Sequence, residues 1–545
     1  MYSYIPPVGQ IDLMTGVPLN PKQEDTMRFT STQNRDLYFN HYIFAHFEEQ
    51  TFSRPGKGVV RIASDSESLY KCNYMRFKNI PAFGTQWIYA FVTNVEYVNL
   101  NTADITYIID DLVTWFPQCE LKECFVDREI PATDNLYEHL VPESFELGDY
   151  VCNYLQTLDF SNDLAIVFCV TSDEMGDFYS DIDNPEDGYS HLTNGLLSPL
   201  AYRVYDMTMP FAMQSAYLTL YAYQHNGVAD NIVSIQYVPK VCTEGINSDE
   251  EAEQHTFNVT IPEIHTSDLD GYRPRNKKLF SYPYCFLVVS NNSGQTAEYK
   301  YELMKKINEF EAQFFYYASC FGQPAIFLYP DTYQGEYDNF DSGLMLTNFP
   351  IVPWQNDAFQ AYLAQNKASL TTGILCSAVE SATGILTSTA QGAIFGGGAG
   401  AAMNLITSGI GALTGSAEAN MKAMAKIQDA KAIPNTVHGQ MQSDGINLAM
   451  HRVQFDFKNM TIRQEMARTI DNFFSMYGYA IHKIKIPDIK SRPFWNYVKT
   501  NGCVVTGPVP ASALANISSI FDRGIRFWQD ALSIGNYELD NSPVM

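Results

Sequence analysis

Trp87-Ile88-Tyr89-Ala90-Phe91-Val92-Thr93-Asn94-Val95-Glu96-Tyr97-Val98 is dominated by aromatic and β-branched residues. Such side chains fill a pleated, half-buried surface, so the stretch reads as one long strand. The polar residues Asn99 to Asp104 then supply a turn, and Ile105 to Ile109 supplies a second strand, so the unit is a β-hairpin. The same chemistry pervades the chain: aromatics make up 14% of its 545 residues, with 35 Tyr and 34 Phe. Charged residues are 18%, below the roughly 25% of an ordinary globular protein. A mainly β protein with a large apolar interior is expected, divided among two to four domains because the chain is too long for a single core.

Working outward, Leu164 to Thr171 (LAIVFCVT) is a continuous apolar run and predicts a buried strand. Ile232 to Val238, Phe257 to Ile261, Tyr284 to Val289, Thr296 to Leu303 and Ala325 to Tyr329 predict further strands, and the acidic stretches 173–187 and 247–253 predict surface loops. In His451 to Phe457 the residues Val453, Phe455 and Phe457 alternate onto one face. Thr461 to Tyr477 predicts a helix, with Thr461 and Gln464 as a capping box and Gly478 as its stop. Its apolar face is expected to carry Ile462, Met466, Ile470, Phe473 and Tyr477. Asn501-Gly502 within Trp495 to Thr506 predicts a two-residue hairpin, and Ser512 to Arg523 a second helix between Pro510 and Gly524.

Residues 368–417 break this pattern. Gly, Ala, Ser, Thr, Ile and Leu dominate, and Glu380 is the only charged residue. A segment this long and uncharged is unusual in a compact domain. Exposed to water together, Ile374, Leu375, Ile385, Leu386, Ile394, Phe395, Leu405, Ile406, Ile410 and Leu413 would drive aggregation, so something must cover them. Three readings fit: a buried helical hairpin, a linker, or a segment that inserts into a bilayer. Gly and Ala allow close packing in lipid, and a charge at mid-bilayer costs about 2.5–3.5 kcal/mol, so one carboxylate keeps insertion within reach. Protonation of Glu380 at low pH is expected to ease it. A polar, helix-compatible stretch from Glu418 to Lys431 follows.

The formal charge of −26 opposes static binding of nucleic acid, which needs clustered Lys and Arg. It is compatible with a conduit whose wall repels phosphate. Ten cysteines, at 72, 119, 124, 152, 169, 242, 285, 320, 376 and 503, include no CxxC pair and read as free buried thiols. The opening Met-Tyr-Ser-Tyr-Ile-Pro-Pro predicts no secretory signal, and no run of 18 apolar residues predicts an ordinary membrane span.

Catalytic motifs are absent: no HExxH, Walker loop, GxSxG or dinucleotide fingerprint occurs. Ser68-Leu69-Tyr70-Lys71 fits SxxK without its companion motifs. His451 and His482 are expected in alternating strands as hydrogen-bonded structural histidines. Asp177, Asp181, Asp183 and Asp187, with Glu186, form a weak Ca²⁺ candidate that lacks EF-hand spacing and reads better as a solvated loop. Paired carboxylates of a glycosidase leave no local signature. No cofactor and no catalysis are expected.

Two blocks carry a family likeness. The first runs from Trp87-Ile88-Tyr89-Ala90-Phe91-Val92-Thr93 through Asp111-Leu112-Val113-Thr114-Trp115 to Phe125-Val126-Asp127-Arg128-Glu129. The second runs from Phe473-Phe474 and Tyr477-Gly478-Tyr479 through Asn496-Tyr497-Val498-Lys499-Thr500 and Ile520-Phe521-Asp522-Arg523-Gly524-Ile525 to Gly535-Asn536-Tyr537. With the apolar segment between them, the chain resembles the tail knob, or distal tail tube, proteins of short-tailed phages (podoviruses) of Gram-positive bacteria. Residues 140–280 do not share the likeness.

The resemblance implies a virion tail-tip protein, made in the host bacterial cytoplasm and built as a ring-forming tube subunit. Its fold class would be mainly β, with barrel- or sandwich-like tube domains, a few helices and the long Gly/Ala-rich loop. It implies a homohexamer whose six apolar loops plug the lumen, then leave it to penetrate the host membrane while the genome passes. The implied partners are other copies of itself, tail proteins such as the lower collar, the host cell membrane, and transiting double-stranded DNA without specific binding. Residues 1–150, 281–365 and 436–545 would form the tube body, 151–280 the knob insertion and 366–435 the membrane-active loop. A receptor-binding or wall-degrading tail component is the alternative, and a secreted pore-forming toxin is disfavoured for want of a signal.

Overall fold

The computed structural model describes residues 9–50, 58–79, 86–171, 190–225, 231–260, 268–304, 311–321, 323–331, 333–335, 339–347, 349–353 and 447–543. Strands dominate, as the composition predicts. The chain forms two compact units. The first comprises Met1–Val151, His265–Cys285 and Thr461–Met545; the second comprises Cys152–Ile264 and Phe286–Met460. The strand Cys285–Ser290 pairs with Thr296–Tyr299.

The first unit holds a six-stranded sheet in the order Ile43–Gln50, Gly9–Thr15, Cys72–Asn79, Ile88–Asn99, Thr102–Ile109, Val59–Ile62. The hairpin at its heart pairs from Ala90 opposite Ile109 to Asn99 opposite Thr102, so the turn is tighter than expected, at Leu100 and Asn101. A five-stranded sheet follows the order Asp25–Met27, Ile525–Trp528, Trp495–Asn501, Cys124–Glu129, Tyr479–Lys485. Ile11, Leu13, Met75 and Ile105 of the first sheet share one apolar core with Ile517 and Phe521 of the helix Ala511–Arg523 and with Val498 and Phe527. That helix starts after Pro510 and stops at Gly524, as predicted.

In the second unit Leu164–Val170 is the buried strand its sequence predicts, flanked by Leu196–Asp206 and Ile232–Pro239. The helix Ala212–His225 packs Ala216 and Tyr223 against Ile166 and Phe168. The strand Gln454–Ile462 buries Phe455 and Phe457, and Val453 beside it, on the expected face.

Several local expectations are corrected. Thr461 and Ile462 end a strand, so the helix starts at Gln464 and no capping box forms. The amide of Gln464 is satisfied instead by Asp270 Oδ2 at 3.1 Å. The helix buries Ala467, Ile470, Asp471 and Phe474, one position on from the face predicted through Met466 and Phe473. Asn501-Gly502 makes a turn, with φ +71° at Gly502, but not a hairpin. Both edges of Trp495–Asn501 are taken by Cys124–Glu129 and Ile525–Trp528, so the chain leaves to pair Val505–Thr506 with Glu120–Leu121. His451 lies in a turn at φ +54°, not in a strand. Thr296 to Leu303 is a strand only to Tyr299, then a single 3-10 turn.

Candidate assembly surface

The densest group of ionisable side chains lies inside the first unit, around the helix Gln464–Tyr477. Asp471, fully buried, accepts from Tyr272 Oη at 2.7 Å and from the backbone amides of Arg275 and Asn276 at 3.1 and 3.0 Å. Glu143 receives Lys278 Nζ at 2.6 Å and also Arg128. The Lys278 ammonium also lies over the rings of Phe474 and Tyr479, and desolvation pulls its pKa down while Glu143 pushes back. Asp134 accepts from Tyr479 Oη at 2.8 Å and from the amide of Lys277 at 3.1 Å. Arg492, its pKa lowered by burial, donates to the carbonyls of Pro131 and Asn541. The cavity beside them has about 40 Å³, room for water and not for a substrate. Each charge is matched by a structural partner, which is what burial demands, and no nucleophile is poised against a base.

The other candidates have structural roles too. Ser68 Oγ donates to the carbonyl of Asp65 within a short helix, so the SxxK match is a helix start. Asp110, whose pKa burial raises to about 6, caps the helix Asp111–Trp115 through the Val113 amide and accepts from Tyr74 Oη. His482 stacks on Phe125 and pairs with Asp127 at 3.4 Å, a structural histidine as expected. Glu244, Glu253 and His255 bring donor atoms within 4.8 Å of one another, with His255 engaged by Glu244 at 3.0 Å and stacked on Tyr316. The described cysteines are free, as expected, and buried except for Cys119, which is half-buried, and Cys152, which is exposed.

Each unit also exposes large apolar side chains. The hairpin Ile88–Ile109 buries Ile88 to Phe91 at its base, while at its tip Tyr97, Val98 and Leu100 face solvent, Leu100 to 79%. On the edge strand Tyr479–Lys485 and just beyond it, Ile484 is 74% exposed and Ile486 55%. Nearby, Met27, Leu112, Phe116, Cys119, Ile486 and Ile489 line a groove of about 550 Å³, whose charged lining residues are Arg28, Lys122 and Lys490 with Glu120 and Asp488. In the second unit the helix Ala212–His225 exposes Met213, Tyr217 and Tyr221 at successive i, i+4 positions, with Phe211 just before it. Exposed apolar patches of this kind mark contact surfaces.

The residues singled out in the apolar segment, including Glu380, and the Ca²⁺ candidates Asp177, Asp181, Asp183 and Asp187 lie outside the described residues. Among the described residues no helix is long and apolar enough to cross a membrane. The groove was invisible in sequence because three distant pieces build it. The helix face had a signal that went unread: Met207 to Gln224 contains no charged residue.

Comparison with known proteins places this architecture. The family model of the C-terminal domain of the Bacillus phage phi29 tail knob protein gp9 matches residues 250–542, and that of the caudoviral major tail protein N-terminus matches residues 8–120. The chain is 25% identical to the tail knob protein gp9 of Bacillus phage phi29 and 24% identical to that of Bacillus phage PZA, each over 99% of both chains. Its fold is similar to that of the bacteriophage C1 tail knob protein gp12, with a TM-score of 0.67 and 15% identity, covering 99% of this chain and 100% of that one.

Proposed function

Because the chain belongs to the family of the phi29 tail knob protein gp9 and is a structural protein of a podophage tail knob, we propose that six copies form a ring-shaped conduit for genome ejection. The apolar segments 368–417 plug its lumen, and on contact with the host they leave it and enter the cell membrane. The protein acts without catalysis, is made in the host cytoplasm, and meets the lower collar and the host membrane as partners. The observation that carries this reading is the composition of 368–417: eleven Ile, Leu and Phe residues and one charge, Glu380, within a chain of net charge −26. A ring supplies the cover that such a segment needs, since symmetric copies bury one another's apolar surface. The acidic balance suits passage of DNA, because a wall without clustered cations holds no phosphate. Residues 1–150 and 436–545, with 281–365, are assigned to the tube body and 151–280 to the knob.

Liposome leakage tests the loop. The purified protein is expected to release a trapped dye at pH 5 faster than at pH 8, since Glu380 enters lipid as the neutral acid. A deletion of residues 368–431 is expected to abolish release while leaving the far-ultraviolet circular dichroism of the strands intact. Leakage that survives the deletion would overturn the membrane assignment.

A further inference from the structure

We propose that the tip of the Ile88–Ile109 hairpin of one copy seats in the groove formed by Met27, Leu112, Phe116, Cys119, Ile486 and Ile489 on the next. This rests on the reading of the protein as a ring, and it names the contact that would close it.

Both halves lie in the first unit and both are left open in the single chain. Tyr97, Val98 and Leu100 stand exposed at the tip, whereas the groove offers about 550 Å³ between apolar walls. A hairpin cannot fill the groove beside its own base. Leu112 and Phe116 of the groove follow directly on Ile109, the base residue paired with Ala90. From there the paired ribbon runs from Ile109 to Thr102 at about 3.3 Å per residue, which carries the tip roughly 23 Å away.

Charge selects the occupant. Glu96 beside the tip accepts from the Asn94 side-chain amide at 2.9 Å and meets no cation among the described residues. At the groove rim Lys122 is paired with Glu120 at 2.8 Å and Asp488 accepts from the amides of Lys490 and Ser491, whereas Arg28 is held by Gln529 Oε1 at 3.2 Å and neither it nor Lys490 has a carboxylate partner among the described residues. An apolar tip with one acid thus faces an apolar groove whose lining carries three bases against two acids, and both belong to the same sequence. A contact between different patches on two copies is heterologous, the kind that repeats around a ring. Opposed charges across it fix the register and exclude wrong partners.

Cross-linking reads the contact directly, because the groove already contains the half-buried Cys119. The full-length chain carrying Cys152→Ser, to remove an exposed thiol, and Leu100→Cys is treated with a short bis-maleimide at assembly concentration. A ladder of covalently joined subunits is expected, and it should vanish when Cys119→Ser is added. Negative-stain images of the same samples, sorted by rotational symmetry, report the ring independently. Rings without a Cys119-dependent ladder overturn this contact and leave the ring standing. A Cys119-dependent ladder without six-fold rings upholds the contact and overturns the hexamer. Neither ladder nor rings overturns both. As a second variant, Leu100→Asp places a second acid where the apolar anchor was, and should raise the protein concentration needed for assembly at least tenfold. An unchanged requirement counts against the contact.

Discussion

Replacing Asp471 with alanine tests whether the buried polar cluster is a joint that holds the first unit together. Its carboxylate accepts five hydrogen bonds: from Tyr272 Oη, from the amides of Arg275 and Asn276, from Asn276 Nδ2 at 2.9 Å and from Arg275 Nε at 3.4 Å. Alanine leaves two half-buried backbone donors without their acceptor, at about 1.5 kcal/mol each. It also forfeits three side-chain bonds, whose donors can turn to other acceptors, at about 0.7 kcal/mol each, or about another 2 kcal/mol in sum. Better helix propensity returns about 0.6 kcal/mol, so the net cost is about 4 kcal/mol. Urea unfolding followed by tryptophan fluorescence is the assay, because Trp87, Trp115, Trp495 and Trp528 all lie in this unit. Trp495 donates its indole N–H to the carbonyl of Ser475, within the helix that carries Asp471. With a slope of about 3 kcal/mol per molar, the midpoint should fall by about 1.3 M. A fall below about 0.3 M would show that water or neighbouring groups replace the carboxylate, and the joint would not be one.

Gly478→Ala should prevent the first unit from folding, because Gly478 holds φ +65° and a Cβ there would strike the carbonyl of Glu129; soluble yield and circular dichroism check this. Asp110 predicts a pH effect. Burial raises its folded pKa from 3.8 to about 6, so its contribution is fully present below the unfolded pKa and is lost as pH rises through about 6. That loss is at most about 3 kcal/mol. Asp110→Asn keeps an acceptor for the Val113 amide and removes the titration. Its urea midpoint relative to the parent should therefore rise between pH 5 and pH 8, and a constant difference would refute the argument.

Elements specified by their own residues were legible. The hairpin from Trp87, the buried strand at Leu164–Val170 and the helix Ala511–Arg523 each carry their period and their stops within a short window. Asn501-Gly502 shows where locality fails. Gly502 adopts the positive φ its turn chemistry favours, yet strands from residues 124–129 and 525–528 already occupy both edges of Trp495–Asn501. Likewise the Thr461–Gln464 capping pattern loses to Ile462, which is wholly buried at a strand end, while the helix amide is satisfied by Asp270 from elsewhere in the chain. The apolar segment was legible by composition alone. The groove was not, because residues 27–29, 112–122 and 486–490 each contribute a few side chains that carry no pattern of their own.

The buried charges of the first unit follow from how that unit is assembled. Its middle piece, His265–Cys285, is short and arrives between two long excursions of the chain into the second unit. It brings few apolar anchors, Leu269, Leu279, Phe280 and Tyr284 among them. Apolar burial is non-directional, so four such residues would tolerate a slipped seating. Polar pairs do not. Asn276 meets Asp471, Lys277 meets Asp134 through its amide, and Lys278 meets Glu143, so three consecutive residues are each keyed to a different acid. A shift of one position would leave at least one buried charge unpaired, a penalty of about 3–5 kcal/mol. The cluster that most resembles an active site is therefore better explained as a register lock, which a chain threaded twice between two units requires if the strands on either side are to meet in one alignment.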